Sequence, residues 1–330
     1  MKPLVFITGF LGAGKTTLLR RLSTSLRDHN IQVDAILNDY VNAGMEAATI
    51  SDSVAHVVPL ESGCACCESL DELVAVCRAA LDGRGDLLLL ELNGTADPLP
   101  VLEAFSLMQN DLPFFPRMQV CLIDARHWGT RGDLTALEKR QMETAGYWML
   151  THADKVDHDR IKTVTGGVTS LAPHSARITV TDLAKILRME LRGAGENRKW
   201  FHQGENPVPD YLSNPDHHHH HHHDEVHQIS HRFTGCSLSL PPRVRRHSIE
   251  QLIAELPDRI IRVKALVKLV EEPGSRWLFQ RTGSEPLQPP VAVPGICHVP
   301  ASLICIGPGL DEHELKARID FHFGKFPENS

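Results

Sequence analysis

Apolar positions in the first part of the chain alternate between short continuous runs and helix-like spacing. Residues 4–8 form an apolar, β-rich run that ends at Gly9, which predicts a buried strand. Within residues 15–28, leucines recur at helical spacing. Further strands are predicted at 33–37, 87–92, 118–123, 148–151 and 177–180, and a further helix at 70–81. Strands separated by helices favour parallel pairing, so we predict a doubly wound, mostly parallel α/β domain.

A different pattern begins after about residue 195. Residues 203–228 are rich in proline, acidic residues and histidine, which is typical of a linker or surface loop. Beyond them, strands are predicted at 233–240, 260–270, 275–281 and 302–306, and helices at 248–255 and 311–321. We therefore divide the chain into an α/β domain (1–195), a linker (196–230) and a small α+β domain (231–330).

Composition limits the classes of function. The chain has 330 residues, 42% of them apolar, and no apolar run approaches the length that crosses a bilayer. A formal charge of -7 argues against general nucleic-acid binding. The first strand starts so early that it leaves no room for a secretory signal, so we expect a cytoplasmic protein without a membrane partner. The choice between a monomer and a homo-oligomer stays open.

A phosphate-binding loop is predicted between the first strand and the first helix. Residues 9–16 fit the pattern G-x-x-x-x-G-K-[ST] at every fixed position. In such a loop the backbone N–H groups converge on phosphate, the lysine reaches the β and γ oxygens, and the threonine hydroxyl ligates Mg²⁺. The predicted nucleotide-binding residues here are Gly9, Gly12, Ala13, Gly14, Lys15, Thr16 and Thr17.

A second magnesium ligand is predicted at the end of the strand at 87–92. Glu91 follows four leucines, which places its carboxylate at the carboxyl edge of the sheet. Gly94 follows closely and is expected to bring its N–H to the γ-phosphate. The alternative is that Glu91 is an ordinary carboxylate at a strand end.

Three of the eight cysteines, Cys64, Cys66 and Cys67, crowd into four positions. Thiolates in this C-x-C-C spacing favour Zn²⁺ or Cu(I) and, less tightly, Co²⁺ or Ni²⁺. Three ligands leave one coordination position open, which suits metal transfer better than permanent structural binding. The alternative is that they are small buried apolar residues.

A second, looser metal-binding segment is predicted in the linker. Imidazoles bind borderline divalent ions near neutral pH, and a flexible tract can hold several of them. A polar linker without function and an inserted purification tag are the alternatives. The consecutive histidines are His217, His218, His219, His220, His221, His222 and His223.

These segments together resemble the CobW-like P-loop GTPases, the CobW/HypB/UreG-type nucleotide-binding proteins. Residues 7–19 resemble the elaborated P-loop of that family, and residues 63–67 its C-x-C-C metal motif. Residues 91–98 are similar to its second magnesium and switch segment. Residues 262–265 and 306–311 are similar to parts of its C-terminal domain.

The resemblance implies binding of GTP and Mg²⁺, hydrolysis of GTP with Lys15, Thr16 and Glu91 as catalytic residues, and recognition of guanine at residues 151–154. The family has an N-K-x-D pattern there, whereas this chain has Thr151, His152, Ala153 and Asp154. Asp154 keeps the carboxylate that accepts guanine N1–H and N2–H, and Thr151 supplies a hydroxyl. His152 lacks the aliphatic stem with which lysine covers the base. We therefore predict a reduced preference for guanine.

The resemblance also implies a GTP-dependent metallochaperone or metal insertase. In this hypothesis the thiolates hold Zn²⁺ (with Co²⁺ or Ni²⁺ less favoured), and GTP hydrolysis passes the metal to a client metalloprotein. A P-loop kinase or ligase in cofactor synthesis is one alternative, but it leaves the C-x-C-C segment without a role. A non-enzymatic metal buffer is another, and it leaves Lys15, Thr16 and Glu91 without a role.

Overall fold

The computed structural model describes residues 1–38, 54–60, 68–197, 235–257, 259–282, 286–293, 300–307 and 310–326. These residues form two β-sheets, the first of seven strands and the second of six. No helix in the described ranges is both long and apolar enough to cross a membrane.

The first sheet is entirely parallel. Its strands are β1 Lys2–Gly9, β2 Val33–Asn38, β3 His56–Leu60, β4 Leu87–Glu91, β5 Phe114–Asp124, β6 Tyr147–Thr151 and β7 Ala176–Arg177. They lie in the order β3-β2-β4-β1-β5-β6-β7, and each neighbouring pair is parallel. The chain moves to one side of β1 and later to the other, so the predicted doubly wound fold is confirmed.

Helices cover both faces of this sheet. They are α1 Lys15–Arg27, α2 Glu68–Leu81, α3 Pro98–Leu107, α4 Thr135–Glu143, α5 His158–Leu171 and α6 Val180–Asn197. Apolar residues of α1 and α6 share a core with one face, and those of α2 and α3 with the other. Residues of α4 and α5 pack against Cys121, Ile123 and Trp148 on that second face. Because strand residues alternate in direction, the buried strands feed both cores.

The seventh strand is shorter than the sequence predicted. We expected a strand over 177–180, but β7 ends at Arg177 and α6 begins at Val180. The reason is a local cap: Thr179 N donates to Asp182 Oδ2 at 2.9 Å, and Asp182 N donates to Thr179 Oγ1 at 3.2 Å. This reciprocal pair starts the helix two residues after the strand.

The second sheet belongs to the C-terminal part of the chain. Its strands are β8 Gly235–Ser239, β9 Arg243–Val244, β10 Arg262–Leu269, β11 Arg276–Thr282, β12 Val291–Val293 and β13 Ser302–Ile306. The path β12-β11-β10-β13-β8 is antiparallel, and β9 pairs in parallel with the end of β10. Helices α7 Arg246–Glu255 and α8 Glu312–Phe323 pack on one face of it. This confirms the predicted α+β unit.

The two sheets are joined through α3. Ile304 and Ile306, on the face of β13 turned away from α7 and α8, share a core with Leu102 and Phe105 of α3. Arg117, only 6% exposed, donates to the Phe105 carbonyl at 2.6 Å and to the Gly235 carbonyl at 2.9 Å. One buried guanidinium therefore links α3 to the first strand of the second sheet.

Substituting Arg117→Met should lower the free energy of unfolding by about 3 kcal/mol, since two buried carbonyls lose a charged donor. Urea unfolding followed by circular dichroism measures this change. Arg243→Met, at an exposed position, is the control and should alter stability by no more than about 0.5 kcal/mol. Equal stability of the two variants would show that the Arg117 contact contributes little.

Candidate nucleotide site

The phosphate loop leaves β1 at the carboxyl edge of the first sheet. Gly12 and Gly14 have φ of 75° and 91°, left-handed values that a residue with a side chain rarely adopts. Ala13 N donates to the Phe10 carbonyl at 3.1 Å, which closes the turn. Lys15 opens α1, is 7% exposed, and places its Nζ 3.5 Å from the Phe10 carbonyl. The loop thus curls around its own lysine at a helix N-terminus.

The predicted magnesium ligands lie together. Glu91 ends β4, directly beside β1, and is 3% exposed. The Thr16 hydroxyl lies 3.1 Å from each of its two carboxylate oxygens. A hydroxyl and a carboxylate are hard oxygen donors of the kind that Mg²⁺ prefers. The side chains present therefore fit this ion.

Gly94 packs against the phosphate loop. A Cβ built at Gly94 would lie 2.7 Å from Leu11 N, so only glycine allows this approach. Gln141 of α4 donates to the carbonyls of Gly94 and Ala96 at 3.1 and 3.0 Å. The segment after β4 is therefore held between the loop and α4.

The sequence analysis did not include Asp124, a buried carboxylate at the end of β5. Arg126 donates to it through Nε at 2.9 Å, Nη2 at 2.8 Å and the backbone N at 3.0 Å. Burial alone would raise the pKa of Asp124, but these hydrogen bonds outweigh it and hold the pKa below its ordinary value. Nearby, the Arg131 guanidinium lies 4.1 Å above the Phe10 ring. The sequence feature that could have identified Asp124 is its position directly after the predicted strand at 118–123.

A cavity of about 560 Å³ opens beside the phosphate loop. It lies between the start of α1, the segment after β6 and the segment after β7. Predicted nucleotide-binding residues that line it are Ala13, Gly14, Thr17, Thr151 and Asp154. Lining residues that the sequence analysis did not predict include Arg21, Thr179 and Thr181. Because the cavity adjoins the phosphate loop, it is placed to receive the base and sugar of a nucleotide.

Residues 151–154 reach this cavity from the end of β6. Thr151 Oγ1 donates to the Ile123 carbonyl at 3.2 Å, so its hydroxyl is engaged by the neighbouring strand. Asp154 is exposed, and a hydrogen bond from Lys155 holds its pKa below the ordinary value. Its carboxylate is therefore ionised near neutral pH, the state that accepts two donors from guanine.

His152 makes a contact that the sequence analysis did not predict. Its φ is 54°, and its Nε2 lies 3.1 Å from the Gly12 carbonyl. The imidazole therefore joins the segment after β6 to the phosphate loop.

The two predicted metal segments, Cys64 to Cys67 and His217 to His223, lie outside the described residues. Within the described ranges, no three His, Cys, Asp or Glu side chains come close enough to hold a metal ion. Four other cysteines, Cys77, Cys121, Cys236 and Cys305, are buried. Burial raises the pKa of each, to about 12 for Cys121 and Cys236, so these remain thiols at neutral pH.

Comparison with known proteins agrees with this geometry. Residues 3–179 match the family described as CobW/HypB/UreG, nucleotide-binding domain, and residues 233–321 match the cobalamin synthesis protein cobW C-terminal domain. The zinc chaperone YjiA of Escherichia coli is 27% identical over 296 residues, which cover 85% of this chain and 86% of that protein.

Two further similarities extend the comparison. Zinc-regulated GTPase metalloprotein activator 1 of Dictyostelium discoideum is 26% identical over 247 residues, which cover 61% of this chain. This match spans 52% of that relative, about half its length. The crystal structure of Zn(II)-bound YjiA GTPase from E. coli aligns with a TM-score of 0.43 at 18% identity, covering 97% of this chain and 99% of that one. On the family match, which covers more than half of the sequence, the chain belongs to the CobW/HypB/UreG family of nucleotide-binding proteins.

Proposed function

We propose that the chain is a GTP-dependent metallochaperone that holds zinc through Cys64, Cys66 and Cys67 and couples GTP hydrolysis to delivery of the metal. The observation that carries the nucleotide part is the convergence of Lys15, Thr16 and Glu91 beside a base-sized cavity. Relatives named as GTPases and as zinc chaperones support the enzyme class and the metal. The receiver is a client metalloprotein.

In this proposal the nucleotide lies across the carboxyl edge of the first sheet. Lys15 and the backbone N–H groups of the loop hold the phosphates, and Thr16 and Glu91 hold Mg²⁺. That ion, when bound, neutralises charge between the phosphate oxygens. Gly94 lies against Leu11 of the loop, which supports the proposal that its N–H donates to the γ-phosphate. Loss of that phosphate would release a contact directly before α3.

The cysteine chemistry supports the metal part of the proposal. Of the eight cysteines, the four that the structure describes are buried thiols with raised pKa values, which disfavours them as zinc ligands. The C-x-C-C segment lies in the sequence between β3 and α2, the helix that leads into β4 and Glu91. This order along the sequence supports a coupling between metal binding and the nucleotide state.

Substituting Lys15→Ala should weaken binding of GTP and GDP on the order of 100-fold, because the phosphates lose their charged donor. Titration with a fluorescent guanine nucleotide measures the affinity. Lys139→Ala, which removes an exposed lysine of α4, is the matched control and should bind like the wild type. Wild-type affinity in Lys15→Ala would refute the phosphate site and leave the metal buffer as the better function.

Substituting His152→Asn should weaken the binding of GTP and of GDP about fivefold. This factor corresponds to about 1 kcal/mol, the contribution of one hydrogen bond. Asparagine tolerates the positive φ at this position but is too short to keep the contact with the Gly12 carbonyl. His152→Lys should bind GTP at least as tightly as the wild type, because its ammonium group can donate to the same carbonyl and its aliphatic stem can cover the base. The same titration compares the variants, and an unchanged Asn variant would show that the contact does not shape the loop.

Zinc affinity should differ between the GTP-bound and the GDP-bound protein. A nucleotide can shift metal binding only if it binds the metal-loaded and the metal-free protein with different affinities. By thermodynamic linkage, bound zinc must change the affinity for GTP by the same factor, on the order of 5–150-fold. Zinc competition with a chelating dye, in GDP or a non-hydrolysable GTP analogue, measures the difference. Thiolate ligation releases protons, so affinity should also rise with pH.

Two variants separate the metal segments in that experiment. Cys66→Ser with Cys67→Ser should abolish the tight zinc site and the linkage while leaving nucleotide binding intact. Deleting residues 217–223 should remove only weak zinc equivalents and keep the tight one. Equal zinc affinity in the two nucleotide states would defeat the delivery mechanism and favour a separate structural metal site.

A further inference from the structure

Residues 93–97, which we name the β4–α3 segment, form a tight turn beside the phosphate loop. Asn93 Oδ1 accepts from Thr95 N and from Thr95 Oγ1, both at 2.9 Å. The Asn93 carbonyl accepts from Ala96 N at 3.0 Å. Thr95 is exposed, whereas Gly94 and Ala96 on either side of it are buried. The turn therefore presents Gly94 and Ala96 to the interior of the domain.

Gln141 of α4 makes the buried contact between that helix and the β4–α3 segment. It is 1% exposed, and its Nε2 donates to the carbonyls of Gly94 at 3.1 Å and Ala96 at 3.0 Å. Arg140 also reaches the segment, with its Nε 3.5 Å from Asp97 Oδ2, but this ion pair is partly exposed. Exposed ion pairs contribute little, whereas loss of a buried hydrogen bond leaves its acceptor unsatisfied. The contact that fixes the segment is therefore that of Gln141.

The chemistry of an amide suits this contact. A carbonyl oxygen can only accept a hydrogen bond, so the nitrogen of the Gln141 amide, and not its oxygen, must face the segment. This nitrogen carries two hydrogens, one for each of the two carbonyls. Methionine has a similar length but no donor, and a carboxylate has the same shape but only acceptors. The contact can therefore be removed without a large change in side-chain volume.

The backbone of Gln141 is anchored to strands that carry the nucleotide site. Its carbonyl accepts from Gln119 Nε2 at 3.1 Å, and the same nitrogen lies 3.0 Å from Thr8 Oγ1 and 2.9 Å from Thr144 Oγ1. Gln119 lies in β5, and Thr8 directly precedes Gly9 at the end of β1. All four side chains of this network are buried, which strengthens its hydrogen bonds. Gln141 therefore reaches the segment from a part of the fold that is fixed relative to the phosphate loop.

The position of Gly94 is defined from two sides. On one side it lies against the backbone of Leu11, and on the other its carbonyl accepts from Gln141. Glycine populates more backbone conformations than other residues, so the direction of the Gly94 N–H depends on such contacts. In the proposed function this N–H donates to the γ-phosphate, which GTP has and GDP lacks. A donor that is fixed beforehand needs no reorganisation when the phosphate binds or reacts.

We propose that Gln141 is a positioning residue that sets the preference of the site for GTP over GDP and supports hydrolysis. Its amide holds the Gly94 peptide in the orientation that the γ-phosphate requires. Gln141 acts through Gly94 and not through a contact of its own with the nucleotide. This inference rests on the proposed function, because it requires GTP to bind at the phosphate loop.

The test compares the full-length wild type with Gln141→Met. Titration in the presence of Mg²⁺ gives the affinities for GDP and for a non-hydrolysable GTP analogue, and phosphate release gives kcat and KM. Gln141→Met should bind GDP like the wild type but bind the analogue about fivefold more weakly, because only the γ-phosphate depends on Gly94. It should also lower kcat at saturating GTP on the order of tenfold.

The matched control is Thr144→Val, which removes a buried hydroxyl from the same network without a contact to the β4–α3 segment. It should keep the wild-type ratio of analogue affinity to GDP affinity and the wild-type kcat. A general loss of stability would lower the binding of both nucleotides together. The ratio of the two affinities therefore separates positioning from a structural role.

A second variant, Gln141→Glu, decides the matter if thermal melting shows that Gln141→Met is unfolded. The introduced carboxyl group can donate to a carbonyl only when it is protonated. Relative to the wild type at each pH, the preference for the GTP analogue over GDP should recover as pH falls and be lost as pH rises. Comparison at each pH cancels the titration of the nucleotide phosphates themselves.

Several results would overturn this inference and leave the proposed function in place. They are an unchanged affinity ratio in folded Gln141→Met, an equal loss of both affinities in that variant, the same change of ratio in Thr144→Val, and a pH-independent ratio in Gln141→Glu. By contrast, wild-type affinity for both nucleotides in Lys15→Ala would refute the phosphate site itself. The two kinds of failure are therefore distinguishable.

Discussion

The phosphate loop is held between two backbone contacts that only glycine allows. At its start, Gly9 has φ of 131°, and a Cβ there would lie 2.6 Å from the Leu122 carbonyl of β5. At its outer side, a Cβ on Gly94 would lie 2.7 Å from Leu11 N. These approaches bring β1, β4 and β5 together at one edge, where Lys15, Glu91 and Asp124 all lie. The positions of the acidic and basic groups beside the loop depend on this packing. Parallel strands bring these side chains to one edge of the sheet, but they do not by themselves close the loop.

Helix α3 extends this arrangement into the second domain. Gly94 and Ala96 are held by Gln141, and the next residue, Asp97, caps α3 by accepting from Leu99 N at 3.1 Å. Along α3 and just beyond it, Glu103 binds Arg262 and Lys264, and Gln109 exchanges two hydrogen bonds with the backbone of Ser237. The segment after β4 is therefore connected to the second sheet by contacts along a single helix.

The sequence predicted the contiguous parts of the structure and missed those made by distant residues. The phosphate loop lies within eight consecutive residues, so its pattern predicts its place between strand and helix. Glu91 could be predicted because a buried strand precedes it. In contrast, the end of β7 depends on the Thr179–Asp182 cap, which overrides the β-preference of Ile178 and Val180. The Arg117 bridge and the contact of His152 with Gly12 join residues more than 100 positions apart, and no local pattern encodes such contacts.

The degree of burial divides the cationic sites of this acidic chain into two kinds. Lys15 is 7% exposed, so its charge is desolvated whether or not phosphate is present, and an anion there gains strongly from a low local dielectric. Arg243 lies in solvent, where attraction is screened by salt and each pair contributes at most about 1 kcal/mol. The first kind of site suits a ligand that stays bound through a chemical cycle. The second kind forms ion pairs that exchange readily and weaken as salt is added.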